Sequence, residues 1–154
     1  MARFLPDTSC IVAALCSWHE HHSAAAEALN RRIAQGEAMI VAAAALVETY
    51  AVLTRLPPPH RLSPADTFAL LDANFMAGAE SGALEIVALD ATAYQALLRQ
   101  APLEGTAGGR IYDALIASCA AHAQVDSLLT FNERHFQPFA SPSLQIVVPS
   151  ASAA

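Results

Sequence analysis

The chain alternates short apolar runs with longer segments in which apolar residues recur at helical spacing. The short runs are predicted as strands at residues 3–7, 38–41, 85–89, 127–130 and 144–148. The longer segments are predicted as helices at residues 10–15, 23–34, 45–55, 64–75, 91–100 and from residue 111 onward. Strands and helices that alternate in this way predict an α/β fold with a central parallel sheet of about five strands and helices on both faces.

Polar residues, glycine and proline mark the ends of these predicted elements. Ser23, Ser63 and Asp90 are predicted helix N-caps, because a short polar side chain at that position accepts a backbone N–H of the first turn. Gly36 and the prolines at 57–59 are predicted to end two of the helices. These signals agree with the boundaries that the hydrophobic pattern indicates.

Length and composition predict one compact domain that meets a partner. No repeat or linker interrupts the 154 residues, which predicts a domain over residues 1–148 and a disordered tail at 149–154. Hydrophobic residues make up 55% of the chain and charged residues 14%, so part of the apolar excess is expected to face a partner. The longest apolar run, at 38–47, is about half the length that a membrane span requires, so no membrane association is expected.

The charge of the chain bears on its affinity for nucleic acid, and its cysteines bear on the cellular compartment. The formal net charge of −6 argues against broad electrostatic affinity for nucleic acid, unless metal ions supply positive charge. All eight basic residues are arginine, and the chain contains no lysine. Cys10, Cys16 and Cys119 form no CxxC pair, and no apolar signal segment opens the chain. These features predict core cysteines, no zinc site and a soluble cytoplasmic protein.

Three acidic residues fall in segments that are otherwise predicted to be buried. Asp7 ends the first strand, Glu48 lies inside an apolar helix, and Asp113 lies in the first turn of another apolar helix. Because no lysine is available to pair with them, their burial favours a bound cation. Oxygen ligands favour Mg²⁺ or Mn²⁺, and such an ion at the carboxyl edge of a parallel sheet suits phosphodiester hydrolysis.

Each of these acids also has an interpretation without chemistry. Asp7 fits the N-cap of the helix that follows it, and Asp113 fits a solvated first-turn carboxylate. Glu48 fits a helix-surface acid or an ion pair with Arg55. The three acids are far apart along the chain, so only the fold decides between these interpretations and a shared site.

Four short motifs carry a resemblance to a known family. They are LPDTS at 5–9, ALVE at 45–48, YDALIA at 112–117 and LTFNERHF at 129–136. In their order and approximate spacing they resemble PIN domains, and the chain looks most like the VapC-type toxin ribonucleases of prokaryotic toxin–antitoxin pairs. The resemblance covers essentially the whole chain.

The resemblance implies a Mg²⁺- or Mn²⁺-dependent endoribonuclease that cleaves RNA, often forms a homodimer and is inhibited by a cognate antitoxin. Carried over by position, Asp7, Glu48 and Asp113 would bind the metal or orient a metal-bound water. The hydroxyl of Thr8 or Ser9 would support the first acid. Thr130, at the end of the fourth predicted strand, is a further supporting residue at the same sheet edge.

The chain departs from the family pattern at Asn132, where many relatives have aspartate. Asn132 is still a candidate catalytic residue, because its carbonyl oxygen can bind a metal or a metal-bound water, but it contributes no charge and a second metal is in doubt. Glu133 is a weaker candidate to compensate. Arg110 and Arg134 are candidates for phosphate contacts, with a salt bridge to a neighbouring acid as the equal alternative.

The histidines are predicted to be structural. The cluster at 19–22 lacks the HExxH spacing of a metal site and is interpreted as a solvated approach to the next helix. His122 is predicted to pack on its own helix, and His135 is predicted to be structural rather than a general base.

Three other functions fit the sequence less well than a nuclease does. Phosphoaspartate proteins use a lysine near the phosphoryl group, which this chain lacks. The glycines at 105–109 follow no strand, so they make a poor nucleotide-binding loop. A non-catalytic binding module on the same scaffold is the stronger alternative because of Asn132, although such a module has no need for three buried carboxylates.

Overall fold

The computed structural model describes residues 1–151 and has an α/β architecture with a five-stranded, all-parallel sheet, as predicted. The strands are β1 (Arg3–Pro6), β2 (Ala38–Ala42), β3 (Glu85–Val87), β4 (Ser127–Leu129) and β5 (Gln145–Val147). Their order in the sheet is β3-β2-β1-β4-β5. The chain therefore adds β2 and β3 on one side of β1 and then β4 and β5 on the other side.

The helices fill the connections between these strands. They are α1 (Thr8–Leu15), α2 (His22–Ala34), α3 (Ala43–Arg55), α4 (Pro64–Leu71), α5 (Ala77–Ser81), α6 (Ala91–Gln100), α7 (Arg110–His122) and α8 (Glu133–Phe136). A π-helical turn (Asp72–Met76) joins α4 to α5, and a 3₁₀ turn (Gln137–Phe139) follows α8. Right-handed crossovers that run in opposite directions from β1 place helices on both faces of the sheet.

The central strands of the sheet are buried in the hydrophobic core. Phe4 and Leu5 of β1, Val41 of β2, and Leu128 and Leu129 of β4 are completely buried. Strands covered on both faces have no polar side to alternate with the apolar one, which explains why the sequence shows continuous apolar runs rather than alternation. The three cysteines are free and buried, in agreement with their prediction as core residues.

Most predicted helix boundaries agree with the structure to within two residues, although α1 and α3 each begin two residues earlier than predicted. Ser63 and Asp90 are the N-caps of α4 and α6, as predicted. The predicted cap at Ser23 is wrong, because the N-cap of α2 is His21 and the helix begins at His22. The Nδ1 of His22 lies 2.9 Å from the carbonyl oxygen of Ala13, a contact that links this turn to α1. The helix predicted to end near residue 75 continues through the π-helical turn until Gly82, at φ 82°, ends it.

The end of the chain is described only in part. Pro149 is buried, whereas Ser150 and Ala151 are exposed. Residues 152–154 of the predicted tail lie outside the described residues. Within residues 1–151, no helix combines the length and the apolar character that crossing a membrane requires.

Candidate active site

Asp7 occupies the junction between the central strand β1 and helix α1. Its side chain is 2% exposed and caps α1, accepting the N–H of Cys10 at 2.9 Å. The Ser9 hydroxyl donates to the same oxygen, Oδ1, at 2.7 Å, and the Thr130 hydroxyl donates to Oδ2 at 2.6 Å. The capping interpretation of Asp7 is therefore confirmed, and it coexists with a place in a polar network at the carboxyl end of the sheet.

The same network joins the ends of β1 and β4. Thr130 is completely buried, and its Oγ1 accepts the N–H of Asn132 at 2.9 Å. Ser9 Oγ accepts the N–H of Phe131 at 3.0 Å. Each hydroxyl thus donates to Asp7 and accepts from the segment after β4, so the predicted supporting residues Ser9 and Thr130 hold the aspartate in one orientation.

Helix α3 supplies Glu48 to the site. Thr8 is a buried residue, 8% exposed, and its hydroxyl donates to Glu48 Oε2 at 2.8 Å. Within residues 1–151 no ion pair joins Glu48 to Arg55, so the proposed salt bridge between them is absent there. Thr8 therefore orients the second acid, while Ser9 supports the first.

Helix α7 supplies Asp113 from its first turn, and α8 supplies a partner that sequence reasoning missed. The Asp113 side chain is 19% exposed, and its Oδ2 lies 3.1 Å from His135 Nδ1. His135 was predicted to be merely structural. It lies in the one-turn helix α8, three residues after the N-cap Asn132, and the available signal was its place in the LTFNERHF motif at 129–136.

These residues converge on a cavity of about 420 Å³ at the carboxyl edge of the sheet. Its lining combines the predicted residues Asp7, Thr8, Ser9, Glu48, Asp113 and Asn132 with Val12, His19, Glu20, His21, Val52, Ile116 and Phe131. Thr130 lies beneath the cavity, bonded to Asp7. Arg110, Arg134 and Glu133 are exposed and do not belong to the lining, so the structure does not bring them into this cavity.

The loop between α1 and α2 forms another wall of the cavity, which the sequence interpretation missed. His19, Glu20 and His21 belong to the lining, whereas the cluster was expected to be a solvated approach to a helix. The loop folds back over the sheet edge, and the ring of His21 stacks on Phe131 with centroids 4.4 Å apart and planes 10° apart. No local pattern in the sequence signals this contact, because Phe131 is more than a hundred positions away.

The cavity holds an excess of negative charge. Burial raises the pKa of Asp7 from 3.8 to about 6 and outweighs the three hydrogen bonds that lower it, and the negative charge of Asp113 acts in the same direction as burial. Burial also raises the pKa of Asp113, against the opposing effects of His135 and Arg110. Both carboxyl groups are therefore poorly compensated by the protein itself, and no arginine lines the described cavity.

The chemistry of these donors fits a hard divalent cation. Asp7 accepts three hydrogen bonds, which leaves an acceptor position on Oδ2, and Glu48, Asp113 and Asn132 offer further oxygens. Within residues 1–151 no three Asp, Glu, His or Cys side chains converge tightly enough to enclose an ion by themselves. Mg²⁺ commonly binds through one or two carboxylates and retains several waters, so the open arrangement suits that ion.

Comparison with known proteins adds independent information. The family model described as PIN domain matches residues 4–140. Ribonuclease VapC40 of Mycobacterium tuberculosis is 43% identical over 118 residues, which cover 77% of this chain and 78% of that protein. Ribonuclease VapC27 of the same species is 32% identical over 142 residues, covering 92% and 93%. The crystal structure of VapBC2 from Rickettsia felis, bound to a DNA fragment from the promoter, is similar in fold, with a TM-score of 0.66 at 20% identity over 96% of this chain and 99% of that chain.

Proposed function

The chain belongs to the PIN domain family, and on that premise we propose that it is a ribonuclease that hydrolyses RNA phosphodiester bonds with Mg²⁺ or Mn²⁺. The observation that carries the proposal is the cavity in which Asp7, Glu48 and Asp113 meet from three distant segments. Two of these carboxyl groups have raised pKa values, which a bound cation would offset. The similarity to ribonucleases VapC40 and VapC27 supports the same chemistry.

In this proposal each acid is held by a neighbour that fixes its orientation. Ser9 and Thr130 hold Asp7, Thr8 holds Glu48, and His135 holds Asp113. Asp7, Glu48 and Asp113 would bind the cation or its coordinated waters, with the Asn132 carbonyl oxygen as a neutral donor. A bound Mg²⁺ or Mn²⁺ would supply positive charge near the phosphate and lower the pKa of a coordinated water.

The test of this proposal is cleavage of a panel of structured RNAs by the purified protein. We expect cleavage with Mg²⁺ or Mn²⁺, none in the presence of a chelator, and a loss of at least about 100-fold in Asp113→Asn, since even neighbours of metal ligands contribute 10- to 100-fold. Asp66→Asn is the matched control, because Asp66 also lies in the first turn of a helix but is exposed and outside the cavity.

Metal binding separates the remaining outcomes. Equal cleavage by wild type and Asp113→Asn would remove Asp113 from the site. If neither protein cleaves any RNA, Mn²⁺ binding should be measured by calorimetry. Binding that depends on Asp113 would indicate the wrong RNA panel, and its absence would favour the non-catalytic binding module that Asn132 suggests.

We also propose that the protein is a cytoplasmic toxin that a cognate antitoxin inhibits. The resemblance to VapC-type toxins and the similarity to the solved VapBC2 complex support this part of the proposal. The chain leaves large apolar side chains exposed for a partner, among them Phe68 at 56% and Leu103 at 80%. Co-purification of a second protein that abolishes RNA cleavage is the expected result.

A second copy of the chain is the proposed occupant of a neighbouring, largely apolar groove, which shares Glu48 with the acidic cavity. Val47, Tyr94 and Tyr112 are 72%, 41% and 56% exposed, and they line a cavity of about 660 Å³ formed by α3, α6 and α7. We expect a homodimer in sedimentation equilibrium and a monomer for Val47→Glu. Leu103→Glu, which places the same charge at another exposed apolar position, is expected to remain a dimer.

A further inference from the structure

Five aromatic and imidazole rings form a continuous row along the rim of the acidic cavity. His60 stacks on Trp18 with centroids 4.0 Å apart and planes 20° apart. Trp18 contacts His19 at 5.8 Å, and His19 contacts His21 at 5.7 Å, both with tilted planes. His21 stacks on Phe131 at 4.4 Å. Four consecutive ring contacts thus connect three segments that are distant in the sequence, and we call this set the ring row.

The ring row leads from the protein surface to the carboxylates. At its outer part Trp18 is 46% exposed, so part of its ring is open to a ligand. At its inner end His19, His21 and Phe131 line the acidic cavity, and the His21 side chain is still 45% exposed. A planar group that lies against Trp18 or His21 would therefore sit beside the cavity without entering it.

The packing of the core does not account for the ring row. Trp18 and His21 are exposed, so they gain little from burial. The backbone N–H of His21 donates to His19 Nδ1 at 3.0 Å. The proton of a neutral His19 ring therefore lies on Nε2. Burial, with a contribution from His21, lowers the pKa of His19 and favours that neutral form. The inner part of the row is thus a set of flat rings that includes a His19 ring whose neutral form is favoured.

We propose that the ring row is a stacking platform for the unpaired bases of an RNA strand whose phosphodiester backbone enters the acidic cavity. Every base has a flat face that stacks on aromatic rings, whereas a duplex keeps its bases stacked on each other. The row therefore selects single-stranded RNA. This inference rests on the proposed ribonuclease function for the identity of the nucleic acid, but it concerns binding and does not require cleavage.

The test uses RNA binding by Asp113→Asn in the presence of Mg²⁺, so that the cation is not withheld from the acidic cavity and the expected loss of cleavage keeps the strand intact. Trp18 is the single tryptophan of the chain, and we expect its fluorescence to be quenched by oligouridine but not by a duplex of equal length. Anisotropy of a labelled oligouridine gives the affinity of variants that lack Trp18. Trp18→Ala and His21→Ala are each expected to weaken binding on the order of 10-fold, while Trp18→Phe retains most of it.

Phe68→Ala is the matched control, because Phe68 is a similarly exposed aromatic side chain on α4 that is not part of the ring row. Thermal unfolding of every variant confirms that differences in affinity are not differences in folding. In cleavage assays with Mg²⁺, Trp18→Ala is expected to raise KM for single-stranded RNA and to leave kcat within about 3-fold, since stacking acts on binding rather than on the reacting atoms.

The outcomes distinguish this inference from the proposed function. Unchanged affinity and KM in Trp18→Ala and His21→Ala would overturn the inference, even if the wild type is an active ribonuclease. Wild-type protein that binds oligouridine through the row but cleaves no RNA would retain the inference and refute the nuclease. Variants that lose only antitoxin binding would assign the row to the protein partner and overturn the RNA platform.

Discussion

Asp7 and Asp90 have the same local role at two strand-to-helix junctions, yet only Asp7 belongs to the acidic cavity. Each is an N-cap with nearly equal backbone angles, φ −77° and ψ 178° for Asp7 and φ −79° and ψ 173° for Asp90. Each accepts the N–H three residues ahead, from Cys10 at 2.9 Å and from Ala93 at 2.8 Å. Asp7 is buried, whereas Asp90 is exposed.

The position of the preceding strand explains the difference. Asp7 follows β1, the middle strand, which pairs with both β2 and β4, so that the end of β4 places Thr130 against it. Asp90 follows β3 at the edge of the sheet, which pairs with β2 alone. The direction of chain winding reverses between β1 and β4, and such a point opens a crevice at the carboxyl ends. A capping motif therefore becomes a candidate active-site motif only at the right place in the sheet.

The largest expected effect separates the two aspartates by activity. Asp7→Asn is expected to lower RNA cleavage by at least about 100-fold, because it removes a buried negative charge next to the proposed cation. Asp90→Asn, which makes the same change in an equivalent cap, is expected to leave cleavage unchanged. Initial cleavage rates in saturating Mg²⁺ provide the measurement. Similar losses in both variants would mean that the cap alone matters.

The pH dependence of stability gives a second contrast. The pKa of Asp7 is raised to about 6 in the folded protein, so its contribution to stability is present at low pH and disappears as the pH rises from about 4 through 6. Relative to Asp7→Asn, the wild type should lose on the order of 3 kcal/mol of unfolding free energy across this range. Urea unfolding in chelator at pH 4 to 7 measures this difference. A difference that does not vary with pH would show that the folded-state pKa is not raised.

A smaller effect is expected at the second residue after each cap. Ser9 donates to Asp7 at 2.7 Å, whereas Thr92, at the equivalent position after Asp90, is exposed. Ser9→Ala should lower cleavage about 10-fold by releasing Asp7, with a larger effect on kcat than on KM. Thr92→Ala should leave both parameters unchanged. If the two variants behave alike, the hydroxyl of Ser9 does not position Asp7.

The smallest expected effect is the loss of stability when a helix N-cap outside the cavity is removed. Asp90→Ala removes a hydrogen bond to the first turn of α6 and is expected to lower the free energy of unfolding by about 1 kcal/mol. Cleavage measured well below the unfolding temperature should not change. A loss of activity in the folded variant would connect the edge of the sheet to the site and weaken the contrast with Asp7.

Local patterns in the sequence were sufficient to predict the five strands, most of the helices and the three acids that meet in the candidate site. The apolar runs became the five parallel strands, and the acids at 7, 48 and 113 share one cavity because carboxyl ends of parallel strands meet at one edge. Thr130 could be placed for the same reason, because it directly follows β4, whereas Ser9, in α1, was placed by the family resemblance.

Contacts between distant segments could not be read from local patterns. The pairing of Asp113 with His135 depends on how α8 packs against α7, and the place of His19 and His21 depends on how the loop after α1 folds over β4. Arg110 and Arg134 had suitable chemistry and neighbouring acids, but neither belongs to the cavity lining. Proximity in sequence was a poor guide to proximity in space at these positions.

The hydrogen bond between Thr130 and Asp7 joins residues 123 positions apart, so it can form only late in the protein's synthesis. A ribosome makes the chain from its amino terminus, so Asp7, Glu48 and Asp113 all exist before β4 has been translated. Until β4 joins β1, the cavity lacks the wall formed by Phe131 and Asn132, and Asp7 lacks its bond to Thr130. A nascent chain thus carries its three acids before the site is assembled, so the candidate active site forms only after β4 has been translated and has folded against β1.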